Sequence, residues 1–206
     1  MNFDAFLKYI PQILEEDLPG VDAHMEMMPL ERIAIFKDLN LDFEIRLKDI
    51  EEIYPPELKA VEITDFLAKL KASAFEGELK ENEILVTSDT IVWHENKALG
   101  KPKSAEEAFE MIKSMSGKTH QVFTSVCFKT SSASTIINDV TKVTFADLSD
   151  EAILYYIENY KPYDKAGAYG IQEWFGFMAV AKVEGSYTNV MGLPTAKVYE
   201  YLSTLV

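Results

Sequence analysis

The chain has 206 residues, 48% of them hydrophobic, a single cysteine and a formal net charge of −14. This gives enough apolar material for one good-sized domain, or two small lobes on a shared core, and argues against wholesale disorder. An acidic chain without a visible basic patch is a poor partner for nucleic acid polymers, whereas an anionic small molecule can bind if a metal ion or a few local lysines offset the charge. No apolar run reaches the length of a membrane span. The N-terminus, M-N-F-D-A-F-L-K-Y-I, lacks the pattern of a signal peptide. Cys127 is alone, which excludes an internal disulfide and zinc-finger spacing. The expected setting is the cytoplasm.

Phe3, Phe6, Leu7, Ile10, Ile13 and Leu14 fall at helical spacing, and Pro19-Gly20 stops that helix. Residues 29–39 predict a second helix with proline at its start. L-D-F-E-I-R, residues 41–46, alternates like a strand, and I-Y-P-P-E breaks the chain. Residues 60–75 predict a helix with Ile63, Phe66, Leu67, Leu70 and Ala74 on one face. E-I-L-V-T-S-D-T-I-V-W-H is the strongest strand signal, interrupted by Ser88-Asp89-Thr90. S-A-E-E at residue 104 opens a helix running to residue 115. Two β-rich runs joined by the polar S-S-A-S read as a hairpin. Leu148-Ser149-Asp150-Glu151 starts a helix ending near Asn159. G-F-M-A-V-A-K-V-E-G reads as a strand, and residues 194–204 as a closing helix with Pro194 its first residue. Strands alternate with helices, so the class is α/β, with a mixed twisted sheet and flanking helices.

Several residues invite a chemical reading. Asp89 in an apolar strand is either a strand-end acid in a turn, or a metal ligand or base at the rim of a sheet, where α/β ligand sites collect. Lys101 in L-G-K-P belongs to no P-loop; a lysine in such a loop is, on its own, more often solvated than a phosphate ligand. Glu51, Glu52 and Lys71 carry no signal on their own. His24, His94 and His120 have no metal spacing. The loop N-V-M-G-L-P leads into a helix whose free N–H groups suit an anion, although any helix begins this way. D-K-A-G-A-Y-G-I-Q-E, residues 164–173, is so poor in bulk that something must approach its backbone closely.

Taken together, S-D-T-I-V, L-G-K-P, S-G-K-T-H-Q-V, D-K-A-G-A-Y-G-I-Q and G-S-Y-x-N-V-M-G-L-P, in that order from about residue 39 to the C-terminus, closely resemble the Maf family. That family comprises nucleoside triphosphate pyrophosphatases, which release the monophosphate and pyrophosphate. The glutamine form of the fourth motif is similar to the branch that prefers dTTP and UTP. The resemblance implies two lobes around a central cleft, a divalent cation (Mg²⁺ or Mn²⁺), a pyrimidine nucleotide as substrate and a homodimer. It places the proton acceptor at Asp89 and a specificity position at Thr90. The second acidic residue falls on Glu52, the helix lysine on Lys71, the phosphate-binding lysine on Lys101 and the base-contacting glutamine on Gln172.

Those roles fit elementary chemistry. Attack at the α-phosphorus needs a water deprotonated in place and neutralised phosphate charge. Asp89 and Glu52 can hold the metal, while Lys71 and Lys101 offer charge to the leaving pyrophosphate. Gly167 and Ala168 would leave room for a nucleotide on the backbone, and Gln172 offers one donor and one acceptor to a base edge.

The resemblance has a gap at the N-terminus. Where the family carries L-A-S-x-S-P-R-R, ungapped counting places M-M-P-L-E-R, with Pro29 for serine, Glu31 for the first arginine and only Arg32 matching. Leu70 stands where glutamate is usual. Residues 1–38 resemble instead the lead-in of some Nudix hydrolases, although no Nudix box appears. The chain divides on this reading into an atypical helical segment, 1–38, and a Maf-like body, 39–206. Two functions follow: a pyrophosphatase, or a catalytically silent nucleotide-binding or interaction protein on the same fold.

Overall fold

A computed structural model describes residues 43–204 of the chain. The helices expected over 1–18 and 29–39, the division at residue 38 and Arg32 lie outside the described residues.

The centre is a five-stranded sheet of order β2-β1-β3-β4-β5. Its strands are β1 (Leu85–His94), β2 (Lys97–Leu99), β3 (Thr119–Lys129), β4 (Ser134–Phe145) and β5 (Val180–Glu184). β3 and β4 form the expected hairpin, in register from Thr119↔Thr144 to Lys129↔Ser134. Every neighbouring pair among the described residues is antiparallel, so of the expected mixed sheet only antiparallel pairs are seen there.

Helix α1 (Val61–Ser73) buries Ile63, Thr64, Leu67, Ala68 and Ala72. It lies over the sheet face that carries Thr87, Asp89 and Ile91, because side chains alternate along a strand. Helices α2 (Ala105–Met115) and α3 (Asp150–Tyr160) begin at Ser104 and Ser149, whose hydroxyls accept from the N–H groups of Glu107 and Ala152. Both pack on the opposite face, in a cluster that includes Ile112, Met115, Val122, Val143, Phe145, Ile153 and Phe175. The remaining helices are α4 (Trp174–Ala179), the single turn α5 (Tyr187–Val190) and α6 (Thr195–Ser203). Helix α6 and Leu193 cover Val126 and Phe128 on that same second face.

Four local expectations are corrected. Residues 43–46 form no strand; Phe43 packs near Leu193 and Leu202, and Arg46 reaches Glu83 at 3.0 Å, so side chains rather than a ladder hold the segment. Ser88-Asp89-Thr90 does not break β1, because each polar side chain finds a partner at its place in the strand. Gly176 to Ala179 are helical rather than extended. A β-carbon on Gly176 would stand 1.8 Å from the Ile171 carbonyl oxygen, so the turn into α4 closes there only because that residue has no side chain. Pro194 precedes α6 as its cap rather than forming its first residue, and its carbonyl accepts from Val198 N–H at 3.0 Å.

Candidate active site

On the α1 face of the sheet, Lys71 Nζ donates to Asp89 Oδ1 at 2.7 Å and lies 2.7 Å from Glu52 Oε1. Three residues far apart in sequence thus meet at one ammonium. Each comes from a different kind of segment: Lys71 from the last turn of α1, Asp89 from mid-strand and Glu52 from the irregular stretch before α1. The Asp89 side chain is 7% exposed and that of Glu52 38%, so the pair runs from buried to open. Asp89 is therefore no strand-end turn acid. It sits opposite Ser125 in the ladder, and Ser125 Oγ donates to Asp65 Oδ1 at 2.6 Å.

Alternation sends the neighbours of Asp89 to the reverse face. Ser88 Oγ donates to the Gly192 carbonyl at 3.1 Å. Thr124 Oγ1 donates to the Asn189 carbonyl at 2.9 Å, so its 3.0 Å bond with Thr90 takes the Thr90 proton. Asn189 is fully buried, and its amide donates to Val122 O and Thr141 Oγ1, each at 3.0 Å. The loop N-V-M-G-L-P is thus tied to β1, β3 and β4 by side-chain bonds. Thr90 stands beside Asp89 in sequence and behind it in space.

The glycine–alanine stretch docks on this second face. Ala166–Ala168 form a single 3-10 turn in which Gly167 has φ +69° and Ala168 φ +61°. A β-carbon on Gly167 would lie 2.7 Å from Val92 Cγ2, so the close approach permitted there is that of β1. Gly167 and Ala168 are both buried. Gly167 N–H donates to the Gly100 carbonyl at 3.0 Å, which fixes the loop carrying Lys101. Lys101 itself is exposed. It follows strand β2, which runs antiparallel to β1 from its pair Val92↔Leu99, and so heads back towards Thr90. Gln172 is half-buried, between buried Ile171 and half-buried Glu173.

The structure therefore gathers Glu52, Lys71 and Asp89 directly. It joins the Lys101 loop to the Gly167 turn, and it turns Thr90 to the face opposite Asp89. Sequence reasoning missed Tyr156, Thr124 and Asn189. Strand threonines read as β-formers, and a helix tyrosine reads as core. Only Asn189, a polar residue in a quoted motif, gave a signal that could have been followed. The Tyr156 phenol is held well above its ordinary range by burial and by its bond to Glu173. Burial pushes His120 down to about 3; its Nε2 lies 2.8 Å from the Tyr169 hydroxyl, in the core away from the carboxylates.

Glu52 and Asp89 could both supply ligands to a divalent cation. They supply oxygen only, as hard cations require, and both already converge on one positive charge. Among the described residues no group of three His, Cys, Asp or Glu is arranged to hold a metal. No helix among the described residues is long and apolar enough to cross a membrane.

Three relatives share most of the chain. A dTTP/UTP pyrophosphatase of Flavobacterium johnsoniae is 85% identical over 175 residues, covering 85% of this chain and 90% of the relative. One from Flavobacterium psychrophilum is 64% identical over 171 residues, 83% of this chain and 88% of the relative. One from Christiangramia forsetii is 50% identical over 175 residues, 85% of this chain and 89% of the relative. The family described as Maf-like protein matches residues 30–205, which takes in every residue of the site just described, and the chain belongs to that family.

Proposed function

We propose that this protein is a nucleoside triphosphate pyrophosphatase acting on dTTP and UTP, releasing the monophosphate and pyrophosphate. One observation carries the reading: Asp89, Lys71 and Glu52 meet within hydrogen-bond distance in a chain 85% identical to a dTTP/UTP pyrophosphatase. The substrate partner is then a pyrimidine nucleoside triphosphate. A cytoplasmic homodimer is the setting carried over with the family, and residues 39–206 are its catalytic body.

Asp89 takes a proton from the water that attacks the α-phosphorus. The bond from that phosphorus to the bridging oxygen breaks, and its electron pair leaves on the pyrophosphate. Lys71 holds Asp89 and Glu52 at fixed spacing, so the base meets the water without reorganising. Lys101, on the loop secured by Gly167, meets the departing phosphates as a point charge. Gln172 accepts the N3–H of uracil or thymine and donates to O4. A pyrophosphatase of this family is in general metal-dependent. Glu52 and Asp89 would hold a Mg²⁺ or Mn²⁺ ion, which would neutralise phosphate charge and acidify bound water.

The test is a panel of dTTP, UTP, dCTP, ATP and GTP with Mg²⁺ or Mn²⁺, read by separating the products. Monophosphate and pyrophosphate from dTTP and UTP, ahead of the purines, is the expected outcome. Orthophosphate as the product excludes attack at the α-phosphorus. Binding of dTTP without turnover would select the silent reading that Pro29 and Glu31 raise.

A further inference from the structure

The loop that carries Gln172 is held from outside by one hydroxyl. Tyr156 lies on α3, fully buried, with its ring 4.7 Å from that of Phe175. Its hydroxyl accepts the Gly170 N–H at 3.0 Å and donates to Glu173 Oε2. These two contacts bracket Ile171 and Gln172. Glu173 Oε1 in turn lies 3.3 Å from Lys165 Nζ, so the start of the loop is linked to the phenol through Glu173. Packing closes the same point. A β-carbon on Gly170 would stand 2.8 Å from Glu173 Cδ and 2.9 Å from Lys165 Cε. On the far side the Ile171 carbonyl is pressed against Gly176. The backbone on both sides of Gln172 is thus fixed, while Gln172 itself stays half-exposed.

We propose that Tyr156, acting through Gly170 and Glu173, is a positioning residue for base selection: its hydroxyl sets the place from which Gln172 meets the pyrimidine. The proposal rests on the reading of Gln172 given above. An amide selects between base edges only when its backbone is held still, since a mobile one meets several edges equally well. A rigid loop also spares the enzyme the entropy of ordering it when the nucleotide binds. Glu173 and Lys165 belong to the same device, because their ion pair aims the carboxylate that takes the phenol proton. Burial and the Glu173 bond hold the phenol well above its usual range, so it remains a donor throughout the working pH range.

Tyr156→Phe keeps the ring packing and removes only the hydroxyl. For dTTP we expect KM to rise about tenfold with kcat within about twofold, and the preference for dTTP over ATP in kcat/KM to fall about tenfold. Glu173→Gln keeps an oxygen for the phenol but breaks the ion pair with Lys165, so it should lose part of the preference, less than Tyr156→Phe loses. Glu173→Ala should behave as Tyr156→Phe does, and serves if the tyrosine variant does not fold. A folded Tyr156→Phe that keeps the wild-type dTTP:ATP ratio overturns the proposal, even where KM changes. So does a fall in kcat of the same proportion for both nucleotides, the mark of a structural role only. A wild-type protein with no preference between dTTP and ATP overturns the base-pairing reading itself, and this inference with it.

Discussion

Lys71 and Asp89 join helix α1 to strand β1 through a 2.7 Å contact, Nζ to Oδ1, at a carboxylate only 7% exposed. The pair serves the site and the fold together. Asp89→Asn keeps the shape and loses the charge. Turnover of dTTP should fall by at least about a hundredfold, with circular dichroism unchanged. Wild-type turnover would remove Asp89 from the mechanism. Lys71→Met should destabilise the protein by about 2 kcal/mol, because a buried carboxylate loses its cation. The double variant should lose less than the sum of the two, as a denaturant-melt cycle would show.

Gly167→Ala should lower stability by about 2–3 kcal/mol, since the new methyl meets Val92 and the backbone is left-handed. Val92→Ala, itself destabilising in the core, should cost less in the Gly167→Ala background than in the wild type, as a thermal-melt cycle would show. Full additivity of the two would place the strain elsewhere.

His120 gives a pH dependence with a definite sign. Burial pushes its folded value down to about 3, against 6.5 when unfolded. The unfolded chain therefore takes up the proton first. The stability held above pH 6.5 drains away as pH falls towards 3. Between pH 6.5 and 4.5 the wild type should lose up to about 2 kcal/mol more than His120→Gln in urea melts at each pH. Parallel stability curves for the two proteins would contradict this.

Glu31 stands in sequence where the family motif carries arginine. Reversing a charge near a triphosphate is worth about 2–5 kcal/mol, so Glu31→Arg should raise kcat/KM for dTTP by tenfold or more. No change in kcat/KM would show that residue 31 has no part in the phosphate site.

Motif order singles out Asp89, Lys71 and Glu52 in the sequence, and the fold brings the three into contact. What periodicity misjudged was local and had tertiary causes. Ser88-Asp89-Thr90 looks like an interruption until Gly192, Lys71 and Thr124 supply its partners across the fold. The helical Gly176 to Ala179 looks like a strand because the close approach of Ile171 cannot be read from the window itself. The bulk-poor loop does meet a close neighbour, but at Gly167 that neighbour is the Val92 side chain and not the nucleotide expected there, and no spacing rule names it.

Asp89 and Thr90 lie on opposite sides of the same strand, so the roles proposed for them, proton transfer and choice of substrate, would fall on separate faces of the sheet. Asp89 looks towards α1, and Thr90 looks towards the Asn189 loop. A single backbone acts as a partition wall between two workshops. On the proposed roles, substitutions on the Thr90 side would retune which nucleotide is accepted without reaching the Lys71 ammonium, and repairs on the Asp89 side would leave recognition undisturbed. An architecture of this kind can change its diet while keeping its cutting edge.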